Sequence, residues 1–234
     1  CALGWACWKT YLGRPETDWA RLHAMTELGH GLSGVGHNED ALSVREADFS
    51  MRRRFGDPED NILAVQGNLA VTYNQLGRRE EALRIEQDVY TGRLNLNGEE
   101  HEVTLWAASN YATSLKDLKR FEEARALLRR TMPVARRVLG ENHELMLRMR
   151  WMYAAALCEA DDATLDDLRE AAETLEDAGR IALRVLGCAH PTTSLIEKNL
   201  RRTLADYTAL ADYTAHLYGQ GGPPNFSAPI FTAQ

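Results

Sequence analysis

Cysteine is scarce in this 234-residue chain, and the four present form no pattern. Cys1, Cys7, Cys158 and Cys188 make no CxxC pair and no CxxC…CxxC or CxxC…HxxxH array. That excludes the usual zinc modules and dithiol redox motifs, and it predicts free, mostly buried thiols in an intracellular protein. No stretch of about 18 apolar residues occurs, so no transmembrane helix and no direct membrane insertion are expected. No signal peptide is evident. The first residue is Cys1 rather than methionine, and the expectation is a piece of a longer or processed polypeptide whose targeting signal is out of view. No Gly-rich phosphate loop, GxSxG or HExxH appears, so neither catalysis nor a cofactor is expected. Excess positive charge is also missing: the formal net charge is −7, which argues against a nucleic-acid partner. His23, His30 and His37 are seven residues apart. On a helix that spacing separates them by about 10 Å along the axis, too far to share one metal ion.

What the chain does have is a period. Gly13, Gly56, Gly98, Gly140 and Gly187 follow one another at intervals of 43, 42, 42 and 47 residues. Three of them are followed three residues later by histidine, namely His101, His143 and His190. Between these marks the segments align. Asn68-Leu69-Ala70 lies over Asn110-Tyr111-Ala112, and Glu80-Glu81-Ala82 over Glu122-Glu123-Ala124. Leu69, Tyr73 and Leu76 fall at i, i+4, i+7, as do Tyr111, Leu115 and Leu118. Each segment therefore reads as two amphipathic helices joined by a short turn, Gly77-Arg78-Arg79 in one and Lys119-Arg120 in the next. Ala82 and Ala124 sit where the two helices must approach closely.

The segment around Leu28-Gly29 and Glu39-Asp40-Ala41 fits the same columns with one residue fewer. The fourth fits with five extra residues in its turn, where Thr164-Leu165-Asp166-Asp167 resembles a helix-capping box. First helices are predicted near 17–33, 59–75, 101–117, 143–159 and 190–206. Pro133 should kink the second helix of the third segment. Residues 205–216 either form a further helix or extend the one before. The histidines recur with the architecture, which favours a role in the inter-repeat turn over a catalytic one.

Taken together, Leu-Gly-x-x-His-(Pro)-x-Thr, Asn-Leu-Ala-x-x-Tyr and Gly-x-x-Glu-Glu-Ala resemble the 42-residue tetratricopeptide repeats of kinesin light chains and their relatives. The resemblance spans roughly residues 14–206. It implies an all-α fold, a right-handed α-solenoid of tetratricopeptide-like helix pairs with a concave groove. The organisation then expected is a leading segment over 1–13, repeats at 14–56, 57–98, 99–140, 141–187 and 188–216, and an extended Gly/Pro-rich tail over 217–234.

Asn68, Asn110 and Asn199 each precede a core residue by one position. Such an amide either holds an extended peptide's backbone or caps and bridges neighbouring first helices. In the resembling family this asparagine lines the groove. Lys116, Arg148, Lys198 and Arg202 fall on the same set of helices, as does Trp106. Between Lys116 and Arg150 ten basic residues face five acidic ones, whereas between Glu159 and Asp177 nine acidic residues face Arg169 alone. Much of that charge reads as solvated outer surface. The expected function is a non-catalytic scaffold that binds an extended, acidic peptide or a partner helix. The alternative is a structural subunit packed permanently within a larger assembly.

Overall fold

The structure, a computed structural model, describes residues 2–218, with side chains placed as far as residue 213. Cys1 and residues 219–234, which hold Phe226, Ile230 and Phe231 of the expected tail, lie outside the described residues. The chain divides after Gly98 into two compact units.

The first unit holds α1 (Ala2–Tyr11), α2 (Trp19–Ser33), α3 (Asn38–Phe55), α4 (Glu59–Gln75) and α5 (Arg79–Asn97), each packed on the next. The second holds α6 (Glu102–Asp117), α7 (Phe121–Leu139), α8 (Glu144–Cys158), α9 (Leu165–Leu186) and α10 (Pro191–Tyr218), again packed in succession. Here the even-numbered helices also touch, α6 against α8 and α8 against α10. No strand occurs among the described residues. The first helices of the five repeats begin within about two residues of the predicted starts.

The turns explain the glycine period. Gly56, Gly98, Gly140 and Gly187 close the second helices with φ between 67° and 84°, where a side chain would be strained. Gly36 (81°) and Gly77 (75°) do the same inside the repeats. The third repeat puts Lys119 at that place, with φ 58°, the one positive-φ non-glycine among the described residues.

The histidines have a specific task. Nδ1 of His101 accepts from the Val103 amide at 3.3 Å, and Nδ1 of His143 from the Leu145 amide at 3.2 Å. His190 accepts from the Thr192 amide at 3.3 Å. Each ring thus satisfies one of the amides that a helix start leaves without an intrahelical acceptor. The capping box also forms: Thr164 Oγ1 accepts from the Asp167 amide at 3.2 Å, and the Asp167 carboxylate accepts from the Thr164 amide at 3.1 Å.

Small residues line the helix crossings. Ala41, Ala82, Ala124 and Ala171 are buried, as are Gly29, Ala70, Ala112 and Ala154 on the helices they face. Four residues beyond each crossing alanine comes a fully enclosed column that changes character along the chain: Arg45 (5% exposed), Glu86 (2%), Leu128 and Leu175 (both 0%). Arg45 extends from α3 across Gly29 of α2. A methyl group at position 29 would stand 3.1 Å from Arg45 Cγ and 3.2 Å from its Nε. Arg45 Nη1 then donates to the Asn68 carbonyl on α4 at 2.8 Å and to the Thr72 hydroxyl. Glycine at 29, where the other repeats have alanine, makes room for arginine at 45.

Some expectations change. Tyr111, read from the sequence as the core residue after Asn110, is half-buried, whereas Leu69, its counterpart after Asn68, is buried. Its ring packs while its phenol stays near Arg120 and Glu123 at the surface. Cys7 and Cys158 are half-buried and Cys188 is exposed, because Cys188 falls in the inter-repeat turn rather than on a core stripe. Helix α7 contains Pro133 and continues to Leu139, so the proline does not end it. Of the two alternatives for residues 205–216, the structure shows the extension: helix α10 continues for 28 residues, and Tyr207 and Ala211 pack on Leu168 of α9.

Candidate interaction face

The sequence-predicted site residues divide between the two units. Asn68 is in the first, half-buried on α4, where its carbonyl serves Arg45. The others are in the second unit, on the three first helices α6, α8 and α10 that lie side by side.

On α6, Trp106, Asn110 and Thr113 fall at i, i+4, i+7 and so share one stripe. Arg148 of α8 reaches across to it. Its Nη2 donates to Asn110 Oδ1 and Thr113 Oγ1, both at 3.3 Å. Its guanidinium lies 5.9 Å from the Trp106 ring centroid, within cation–π range. Trp106 Nε1 donates to Glu102 Oε1 at 3.3 Å. Further along α6, Lys116 pairs with Asp117 at 3.0 Å and stands 5.9 Å from the Trp151 ring centroid. On α10, Asn199 is buried. Its Nδ2 donates to the Leu195 carbonyl at 2.8 Å, and its Oδ1 accepts from Arg202 at 3.0 Å. Arg202 also pairs with Glu159 at 2.7 Å. Lys198 belongs to neither grouping.

The structure therefore gathers Trp106, Asn110, Arg148 and Lys116 along the α6–α8 contact. Asn199 and Arg202 form a second pair with Glu159. The asparagines differ in use. Asn110 keeps its Nδ2 for another acceptor, whereas Asn199 spends both ends of its amide inside the chain. Aromatic and cationic groups around one amide can grip a peptide by its backbone, by a carboxylate and by an apolar side chain.

A cleft that the sequence did not disclose opens on the other side of α8. It holds about 450 Å³ and lies between α7 and α9. Met146, Arg150 and Tyr153 of α8 line it at i, i+4, i+7, a stripe roughly opposite Arg148 on the helical wheel. The α7 wall brings Arg129, Met132, Pro133 and Arg136. Arg129 Nε donates to the Tyr153 hydroxyl at 2.9 Å, and that hydroxyl donates to Glu170 Oε1 at 2.6 Å. Burial, and then the Glu170 carboxylate, push the Tyr153 phenol above its ordinary pKa, so it stays a neutral donor. Arg136 pairs with Glu141, and Arg150 with Asp177. The only local signal for this cleft is Pro133, which by itself indicates a kink, while Tyr153 matches a core column of the repeat.

The histidines weighed as metal ligands go separate ways. His23 stacks on Trp19 at 5.3 Å, His30 lies 3.7 Å from Glu27, and His37 lies 3.3 Å from Asp40. No described helix is long and apolar enough to cross a membrane.

Comparison with known proteins agrees with the repeat. The tetratricopeptide repeat family model matches residues 62–102 and 104–144. No curated protein sequence matches the chain. Among solved structures, BtubC (BKLC) from P. vanneervenii is 18% identical with a TM-score of 0.69, over 99% of this chain and 94% of that one. A Podosopora anserina kinesin light chain candidate with nearly identical TPR-like repeats is 20% identical with a TM-score of 0.66, over 89% of this chain and 100% of that one. A singly substituted form of that protein is 21% identical with a TM-score of 0.65, over 84% and 97%. The fold is an all-α solenoid; residues 62–102 and 104–144 match the tetratricopeptide repeat model, and the solved structures that the chain resembles include kinesin light chain-like repeat proteins.

Proposed function

We propose that the α6–α8–α10 face of the second unit binds an extended acidic peptide. Tetratricopeptide repeats generally act as protein–protein interaction scaffolds and are typically non-catalytic. The observation that carries the finer reading is the Trp106–Asn110–Arg148 cluster. The Asn110 amide offers a donor to a peptide carbonyl, and Arg148 offers charge to a carboxylate. Trp106 offers an apolar flank. Each backbone hydrogen bond contributes only about 0.5–1.5 kcal/mol, so affinity should be micromolar.

Calorimetry of the wild type and Arg148→Ala with blocked acidic and neutral peptides tests this. The acidic peptide should bind better, lose affinity in Arg148→Ala and weaken from about 0.05 to 0.5 M salt. Equal binding by both proteins would remove this face from the account.

A second reading, permanent packing within an assembly, is favoured by one feature of the first unit. Leu3 (86% exposed), Trp5 and Trp19 (72%) present apolar surface on α1 and the start of α2. It predicts that charged substitution of Leu3 and Trp19 abolishes co-purifying partners while leaving peptide binding intact.

A further inference from the structure

We propose that the cleft between α7 and α9 is a second docking site, distinct from the α6–α8–α10 face, for a short acidic peptide segment bearing one apolar side chain. Two features converge on that occupant.

The first is a cation left for it. Among the described residues, Arg136 has Glu141, Arg150 has Asp177, and the Glu170 carboxylate in the cleft is taken up by Tyr153. Arg129 makes no direct ion pair among the described residues, although Glu170, Glu122 and Asp167 lie near enough to act on it electrostatically. Its Nε is fixed on the neutral Tyr153 hydroxyl, which leaves both terminal nitrogens for a carboxylate in the forked geometry guanidinium favours.

The second is an apolar floor. Met132, Pro133 and Met146 line the cleft, and its volume of about 450 Å³ admits a leucine-sized side chain with the adjoining backbone. Methionine adapts to such a group without a fixed shape.

The probe is the blocked peptide Ser-Glu-Asp-Leu-Asp-Glu-Ser, with Gln/Asn replacing its acids in one control and Ser replacing its Leu in another. Arg129 and Pro133 are exposed, so Arg129→Gln and Pro133→Arg should fold, which circular dichroism verifies. The probe should lose about tenfold in affinity in each variant, and about tenfold on loss of its acids or its leucine. Arg148→Ala, on the opposite face of α8, should leave this component of binding unchanged. Probe affinity equal in wild type and Arg129→Gln overturns the proposal, as does absence of binding. If binding instead disappears in Arg148→Ala, only the first face is in use and the cleft is no site.

Discussion

At the residue scale, Gly29 and Arg45 behave as one unit. Gly29→Ala alone brings a methyl to 3.1 Å from a buried side chain, and the guanidinium has to move off the Asn68 carbonyl. Arg45→Leu alone removes a buried cation but leaves a gap beside Gly29. The pair of changes recreates the Ala–Leu combination present at Ala112 with Leu128 and at Ala154 with Leu175. A double-mutant cycle by thermal denaturation should therefore show favourable coupling of about 0.5–3 kcal/mol. Additive single effects would refute it. Lys119 offers a simpler case. A non-glycine side chain at φ 58° is strained, and Lys119→Gly should raise stability by about 0.5–1 kcal/mol in the same measurement, net of glycine's larger entropy loss.

At the scale of the element, helix ends decide more than helix interiors. The α9 capping box holds Asp167 below its ordinary pKa, first through the Thr164 hydroxyl and then through the Thr164 amide and Arg125, with burial acting the other way. A carboxylate whose folded pKa is depressed contributes stability that is present above its unfolded value near 3.9 and lost as pH falls through the folded value. Melting temperature should thus fall below about pH 4 in the wild type, and fall less steeply in Asp167→Asn. An unchanged slope would assign the acid sensitivity elsewhere.

The boundaries of these helices were legible because their signals are local and repeat: a capping histidine, a turn glycine, a crossing alanine. The capping box was legible for the same reason. The α7–α9 cleft was not, because its walls come from residues as far apart in the chain as Arg129 and Thr174. Nor could the sequence show that Asn199 turns its amide inward while Asn110 keeps its Nδ2, since both occupy the same column.

At the scale of the whole molecule, repeats lean on neighbours, so a local fault spreads. Ala124 is buried where α7 crosses α6. Ala124→Leu should overpack that crossing and cost about 1–3 kcal/mol. Hydrogen exchange should then accelerate in α8 as well as in α6 and α7. Protection lost from α7 alone would mean that the repeats are uncoupled there.

The buried column that begins at Arg45 also bears on how such a chain can gain or lose whole periods. Excising residues 57–98 would bring Asn110 and Ser114 to the places of Asn68 and Thr72. Arg45 would again meet a carbonyl and a hydroxyl. Excising a second period would bring Ala156 to that place, and the hydroxyl would be gone. A buried guanidinium that keeps the backbone carbonyl but loses the hydroxyl gives up one of its two acceptors, which is costly. Removing one period should therefore cost less stability than removing two, a difference set by a single enclosed arginine.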